Sequence, residues 1–334
     1  MKLLRQYLLK NYSQTFFPIF ITLYTITSIV YLVKIASLTS IIQITSLELI
    51  ELYLYSVPSI LFYTLPVSIF VSMALSLAKL SSEYELIVIT SFGFNPLRVI
   101  RLLLPSLIGS TILLLIISLG AIPKADNLKH RFVDNKKTEA QFNIKPSEYG
   151  QSFGDWLIYV QNKTKNTYSD IVLYKNEKGT DTFIKAQKAT LENKNFMLIM
   201  TLENGQVVKV NKTVSQVDFK KMIINNTIKQ SKKINTLDDL IEYWKTNKKV
   251  HKFIFAILSS IFPFISILFI LFIGYYNPRY QANRSSLLSI GLSVVFLVGS
   301  QKLSHYGVDM LWLLPLVWIA LSIVVYIYKI KRYY

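Results

Sequence analysis

Six apolar windows free of charged residues, at 11–33, 52–78, 102–123, 253–278, 285–301 and 310–328, frame a long polar insert. They are 23, 27, 22, 26, 17 and 19 residues long. A helix rises about 1.5 Å per residue, so roughly 20 apolar residues cross a hydrocarbon core of about 30 Å. Five windows reach or nearly reach that span. The 17-residue window is completed by neutral flanks, with Lys302 able to snorkel. The pattern predicts a polytopic α-helical membrane protein with six transmembrane helices, three before and three after one inserted domain. The boundaries fall at residues 1–123, 124–250 and 251–334.

Within the insert the apolar runs shorten and become strand-like. Trp156–Val160, Asp170–Tyr174, Phe196–Met200 and Gln206–Val210 are rich in β-branched and aromatic residues, and breaks such as Asn176–Gly179 and Glu203–Gln206 separate them. Short strands with turn signals every 8–12 residues or so predict an antiparallel sandwich or open barrel. The pair Asn204-Gly205 reads as a type I′ hairpin turn, because both central positions of that turn require positive φ. The end of the insert is different. Thr236 and Asp239 fit a helix N-cap and its N3 partner, and Leu237, Leu240, Ile241 and Trp244 recur at helical spacing. A short amphipathic helix near the outer surface is expected there, leading into the fourth window.

The chain is 52% hydrophobic with mean hydropathy +0.38, which agrees with the windows. Its net charge of +18 would suggest nucleic acid in a soluble protein. The placement of charge argues otherwise. Residues 124–250 carry 23 Lys+Arg against 14 Asp+Glu, half of the surplus, and much of the rest lies in short loops. With the N-terminus cytoplasmic, that side holds Lys2, Arg5, Lys10, Lys79, Arg98, Arg101, Arg279, Arg284, Lys329, Lys331 and Arg332. The opposite short loops hold only Lys34 and Lys302. This positive-inside bias puts both termini inside and the insert outside. The first window lacks a small-residue cleavage site and belongs to the six-crossing count, so it reads as a retained helix. The chain has no cysteine, hence no disulfide framework or thiol chemistry.

No phosphate-binding P-loop and no H-E-x-x-H motif occurs, and His130, His251 and His305 are dispersed. No nucleophile elbow accompanies the serines. A transport or binding role is expected rather than an enzymatic one, with no metal and no cofactor. Ion-coupled transporters place ionisable groups within the bilayer, where they are costly. Here Lys34, Glu48, Glu51, Lys302 and Asp309 all fall at window ends. The energy for any transport must then come from a partner, and the cargo is amphipathic rather than ionic.

The segment from Lys79 to Arg101, KLSSEYELIVITSFGFNPLRVIR, joins windows two and three on the cytoplasmic side. Ser82-Glu83-Tyr84-Glu85 opens an apolar run, Leu86 to Phe92, that ends at Gly93. Acidic residues suit a helix N-terminus and glycine the C′ position. Two readings stay open on these residues alone: a capped interfacial helix, or a docking helix for a cytoplasmic protein with Glu83 and Glu85 as charged contacts.

Ser82, Glu83, Glu85 and Gly93 resemble the coupling-helix pattern of the LptF/LptG lipopolysaccharide export permeases. The order of three helices, an external domain and three helices is also similar to that family. Tyr7-Leu8, Leu32-Val33-Lys34-Ile35 and Asn277-Pro278-Arg279 look more like the LptF branch. The resemblance implies an inner-membrane permease with a periplasmic all-β jellyroll-like domain and a coupling helix at about 80–93. It implies a heterodimer with a homologous second permease, a cytoplasmic ABC ATPase dimer beneath it, a single-helix membrane accessory protein and a periplasmic jellyroll bridge protein. ATP would be used by the ATPase, and lipopolysaccharide would be the cargo. Carried onto this chain, the ATPase-coupling residues are Glu83, Tyr84, Glu85, Leu86 and Gly93. Lys34 would meet the phosphorylated head group, with Lys302 as a second candidate; each also reads as a snorkelling interface lysine. Two rivals remain at this level. One is another ABC-type lipid or lipoprotein extractor. The other is a membrane sensor or scaffold whose β domain binds a ligand and which needs no ATPase.

Overall fold

A computed structural model of the chain describes residues 2–38, 44–92, 95–142, 146–147, 151–153, 155–164, 167–177, 179–194, 197–211, 214–227, 234, 236–245, 249–280 and 282–330. Each apolar window becomes helical. Helices α1 (Lys2–Ala36) and α2 (Ser46–Ser82) cover the first two, and a short helix α3 (Glu85–Ser91) follows. The third window is α4 (Pro96–Ile116), continued through a π-helical turn at Ile117–Ala121 into α5 (Ile122–Phe142). After the insert come α6 (Leu237–Lys245), α7 (Val250–Ile265), α8 (Ile267–Gly274), α9 (Ser285–Leu303) and α10 (Met310–Lys329).

Five helical stretches, among them α4 continued into α5, are long and apolar enough to cross a membrane, and α7 with α8, bent by 44° between them, makes a sixth when the pair is counted as one span. The sequence has a local cause for that break. Pro263 has no N–H to continue the ladder, and the chain turns at Ser266 three residues later. Backbone groups in lipid must find partners within the protein, and at the break they do so locally: Ser266 N donates to Phe262 O and Ile270 N to Ser266 O, each at 3.1 Å. The side chain of Ser266 is held separately, its Oγ accepting from the Trp318 indole at 2.9 Å.

Trp318 also sits among Phe262, Phe269 and Phe296, with the last two ring centroids 5.1 and 5.0 Å away. Phe262 in turn touches Phe70 of α2. This aromatic cluster is part of the core of the helical unit, in which α2 is the most deeply buried span and α1 has the smallest share of fully buried residues. Many Ser and Thr hydroxyls within the helices return to carbonyls one turn back, as Ser68 does to Thr64 O at 2.8 Å, so burial leaves these bonded. Trp318→Phe keeps ring packing but removes the bond to Ser266. A loss of about 1 kcal/mol is expected, read as a lower thermal unfolding midpoint of the purified chain in detergent.

The insert contains one antiparallel sheet of six strands in sequence order: β1 (Gln151–Phe153), β2 (Trp156–Thr164), β3 (Thr167–Glu177), β4 (Thr180–Lys194), β5 (Met197–Val210) and β6 (Val214–Thr227). Residues 124–142 and α6, which flank it, are helical. The expected Asn176–Gly179 break is a turn, with Glu177 paired to Thr180 and Gly179 at φ 81°. The capped helix is also present. Thr236 N donates to Asp239 Oδ2 at 3.0 Å and Asp239 N to Thr236 Oγ1 at 3.3 Å, a reciprocal box.

The hairpin expected at Asn204-Gly205 is not there. Both residues lie inside β5, where Gly205 pairs with Ala186 on one side and Phe219 on the other. The positive φ of Asn204, 49°, is used for a crease instead of a turn. Gln161, Asp170, Gln187, Asn204 and Lys220 form one transverse row that the pairing of β2 through β6 skips. All five are exposed, and Asp170 has φ 53°. Inward positions slip by one residue across this row: Ile184 and Ala186 are buried on one side, Ala189 and Leu191 on the other. Residues from both flanks therefore enter one hydrophobic core, so the single sheet curves toward itself.

Candidate functional site

The segment between α2 and α4 is the richest site in the helical unit. α2 runs through Ser82, and its last turn is fixed to the end of α8 by side chains. Ser81 Oγ donates to Gly274 O at 2.6 Å, and the Ser82 hydroxyl bonds that of Tyr276. The chain then turns at Glu83 and Tyr84. Tyr84 has φ 61°, a left-handed conformation that is uncommon for a bulky residue and that separates α3 from α2. Seven residues make too short a helix to stand alone in water, so α3 depends on its anchors.

The predicted residues divide into anchors and outward groups. Leu86 is buried in the helical core at 1% exposure. Glu85 is half-buried, and its Oε2 accepts a hydrogen bond from Tyr7 OH at 2.5 Å. Glu83 and Tyr84 are exposed, as are Val88 and Phe92 further along, Phe92 at 79%. Gly93 lies outside the described residues. The start of α3 has no side-chain cap, so the carboxylate of Glu85 works through Tyr7 rather than closing its own helix. Asn95 caps the next helix, accepting from Leu97 N at 3.0 Å, with Pro96 in the first turn.

Lys34 and Lys302 are in the last turns of α1 and α9, both exposed. Glu48 and Glu51 lie in the first two turns of α2, and Asp309 is the residue before α10, so these carboxylates also stay at helix ends. No group of three or more potential metal-ligating side chains occurs among the described residues. Three contacts were outside the reach of the sequence: Tyr7 with Glu85, Ser81 with Gly274 and Ser82 with Tyr276. Each joins residues far apart in the chain, and no local pattern marks such a pair.

The family model for lipopolysaccharide export system permease LptF/LptG matches residues 6–328, from before Tyr7 to the end of α10. The chain belongs to this family. The match is to the family as a whole, spanning both branches. No curated protein matches the chain. As an LptF/LptG permease it is a multi-pass membrane transport protein and not an enzyme, and its family exports lipopolysaccharide.

Proposed function

We propose that the chain is one permease half of an ATP-driven lipopolysaccharide extractor of the inner membrane, with both termini cytoplasmic and the sheet periplasmic. A homologous second permease completes the membrane part, and an ABC ATPase dimer docks on α3. A single-helix membrane accessory protein and a periplasmic jellyroll bridge complete the route, the bridge receiving lipid from the sheet by edge-strand joining. The observation that carries this reading is α3 itself. It is a helix set apart between two spans, anchored by Leu86 and presenting Glu83, Tyr84, Val88 and Phe92 outward.

The cargo fits the chemistry of the spans. Lipid acyl chains need an apolar surface, and α1, α9 and α10 expose one through residues such as Phe17, Ile29, Val295 and Leu316. Lys34 and Lys302 supply point charges for phosphate groups on the sugar head, and are the tentative head-group contacts. ATP-driven motion of α3 would close the space between the two permeases and lift the lipid.

Isolation of the intact complex from membranes, followed by mass spectrometry of protein and lipid, tests the reading. The expected result is a second, homologous membrane chain, an ATPase in twofold copy and bound lipopolysaccharide. Recovery of the chain without an ATPase would favour a sensor or scaffold.

A further inference from the structure

Helix α1 is held to the helical unit unevenly. Its first half packs through Leu4, Leu8, Tyr12, Phe16 and Ile19, a stripe at helical spacing of which only Leu8 is fully buried. Its second half is largely exposed and is tied to α2 through Tyr53, whose hydroxyl bonds Ser28 Oγ at 2.7 Å and Tyr24 OH at 3.1 Å. At the start of α1 the polar tie is to α3, through Tyr7 and Glu85. The end of α2, which leads into α3 through Glu83 and Tyr84, is meanwhile fixed by Ser81 and Ser82 to Gly274 at the end of α8 and to Tyr276 just beyond it. A displacement of α3 thus meets a rigid partner on one side and a loosely packed helix on the other.

We propose that Tyr7 is a positioning residue through which movement of α3 reaches α1, its hydroxyl holding the Glu85 carboxylate. This rests on the reading of α3 as the ATPase-docking helix. The chemistry of the pair suits a shared role for Glu85. The tyrosine hydroxyl donates to one carboxylate oxygen, Oε2, which leaves the second oxygen for a cationic group on a docked protein. An arginine or lysine in place of Tyr7 would compete for the carboxylate. Tyr7 is 39% exposed and adjoins the buried Leu8, so it stands at the edge of the packed stripe, where loss of one oxygen leaves the packing intact.

The test uses the full complex in lipid vesicles, comparing the unmodified chain with Tyr7→Phe and Glu85→Gln. Four quantities are measured: ATPase recovered, ATP hydrolysed, lipopolysaccharide released per ATP, and the thermal unfolding midpoint. Tyr7→Phe is expected to keep ATPase recovery and hydrolysis within about twofold. Its lipid released per ATP should fall about tenfold, the effect of losing one hydrogen bond to a charged acceptor. Glu85→Gln, whose amide oxygen can still accept from Tyr7, should weaken ATPase recovery but hold lipid per ATP within about twofold. Unchanged lipid per ATP in Tyr7→Phe overturns the inference. So does a parallel fall in hydrolysis and thermal stability, which would make Tyr7 a structural residue only. Absence of ATPase from the unmodified complex would overturn the docking reading itself, and the inference with it.

Discussion

Gly205→Ala is expected to destabilise the sheet by about 3 kcal/mol and to raise hydrogen exchange across β4–β6 about a hundredfold, leaving the helical unit unchanged. A Cβ at Gly205 would stand 2.3 Å from Lys185 O, 2.5 Å from Phe219 Cζ and 3.1 Å from Ala186 Cα. The Phe219 ring can swing aside. The Lys185 carbonyl cannot, because it belongs to a strand paired on both sides. Room for the methyl therefore requires backbone movement next to the crease, where the pairing already skips a row. Overpacking of an ordinary core site costs about 1–3 kcal/mol, and a forced backbone shift places this one at the upper end. Asn204→Gly is the control. The left-handed φ of Asn204 suits either residue, so a change within about 1 kcal/mol is expected. Mass-resolved hydrogen exchange on the full chain in detergent reads both variants. Equal protection in Gly205→Ala and the unmodified chain would remove the steric basis of the crease.

The same position shows where reading the sequence stops. Asn-Gly is a strong hairpin signal because short-range rules favour positive φ in a two-residue turn. Long strands can use the same φ to bend, and only pairing with β4 and β6 decides between the two. The slip of inward positions, from Ile184 and Ala186 to Ala189 and Leu191, is written in the sequence. It becomes legible once the segment is known to be one strand of 15 residues rather than two short ones. The membrane spans were legible for the opposite reason. Their signal is composition over some 20 residues, which needs no partner to be meaningful. Even there, the apolar run 253–278 concealed the break at Ser266, although Pro263 marks its neighbourhood. For α3 the run Leu86–Phe92 lies within a residue of the observed Glu85–Ser91, with Glu85 in the first turn where the helix dipole favours an acid, and no side chain caps its start. Glu85 instead reaches a tyrosine 78 residues earlier, a tertiary choice with no local trace.

Glu85→Lys is expected to abolish lipid export while leaving the chain folded and inserted. Three effects act in the same direction. The Tyr7 hydroxyl loses its carboxylate acceptor, and an ammonium offers no lone pair in exchange. A positive charge enters the first turn of α3, where the helix dipole favours a negative one by about 0.3–1 kcal/mol. Under the docking reading, a cationic site on the ATPase then faces a like charge, which costs several kcal/mol at an interface. The last two imply a loss of ATPase affinity of about a hundredfold or more, since every 1.4 kcal/mol is about tenfold, while the first lowers the lipid released per ATP. Glu83→Lys separates the contributions. Glu83 is exposed in the turn before α3, so its reversal should weaken ATPase recovery less and spare the bond between Tyr7 and Glu85. ATPase co-purification and lipid release from vesicles, measured for both variants beside a check of folding by thermal unfolding, give the order of effects. Export by Glu85→Lys at the unmodified rate would exclude α3 as the point where ATP hydrolysis enters the permease.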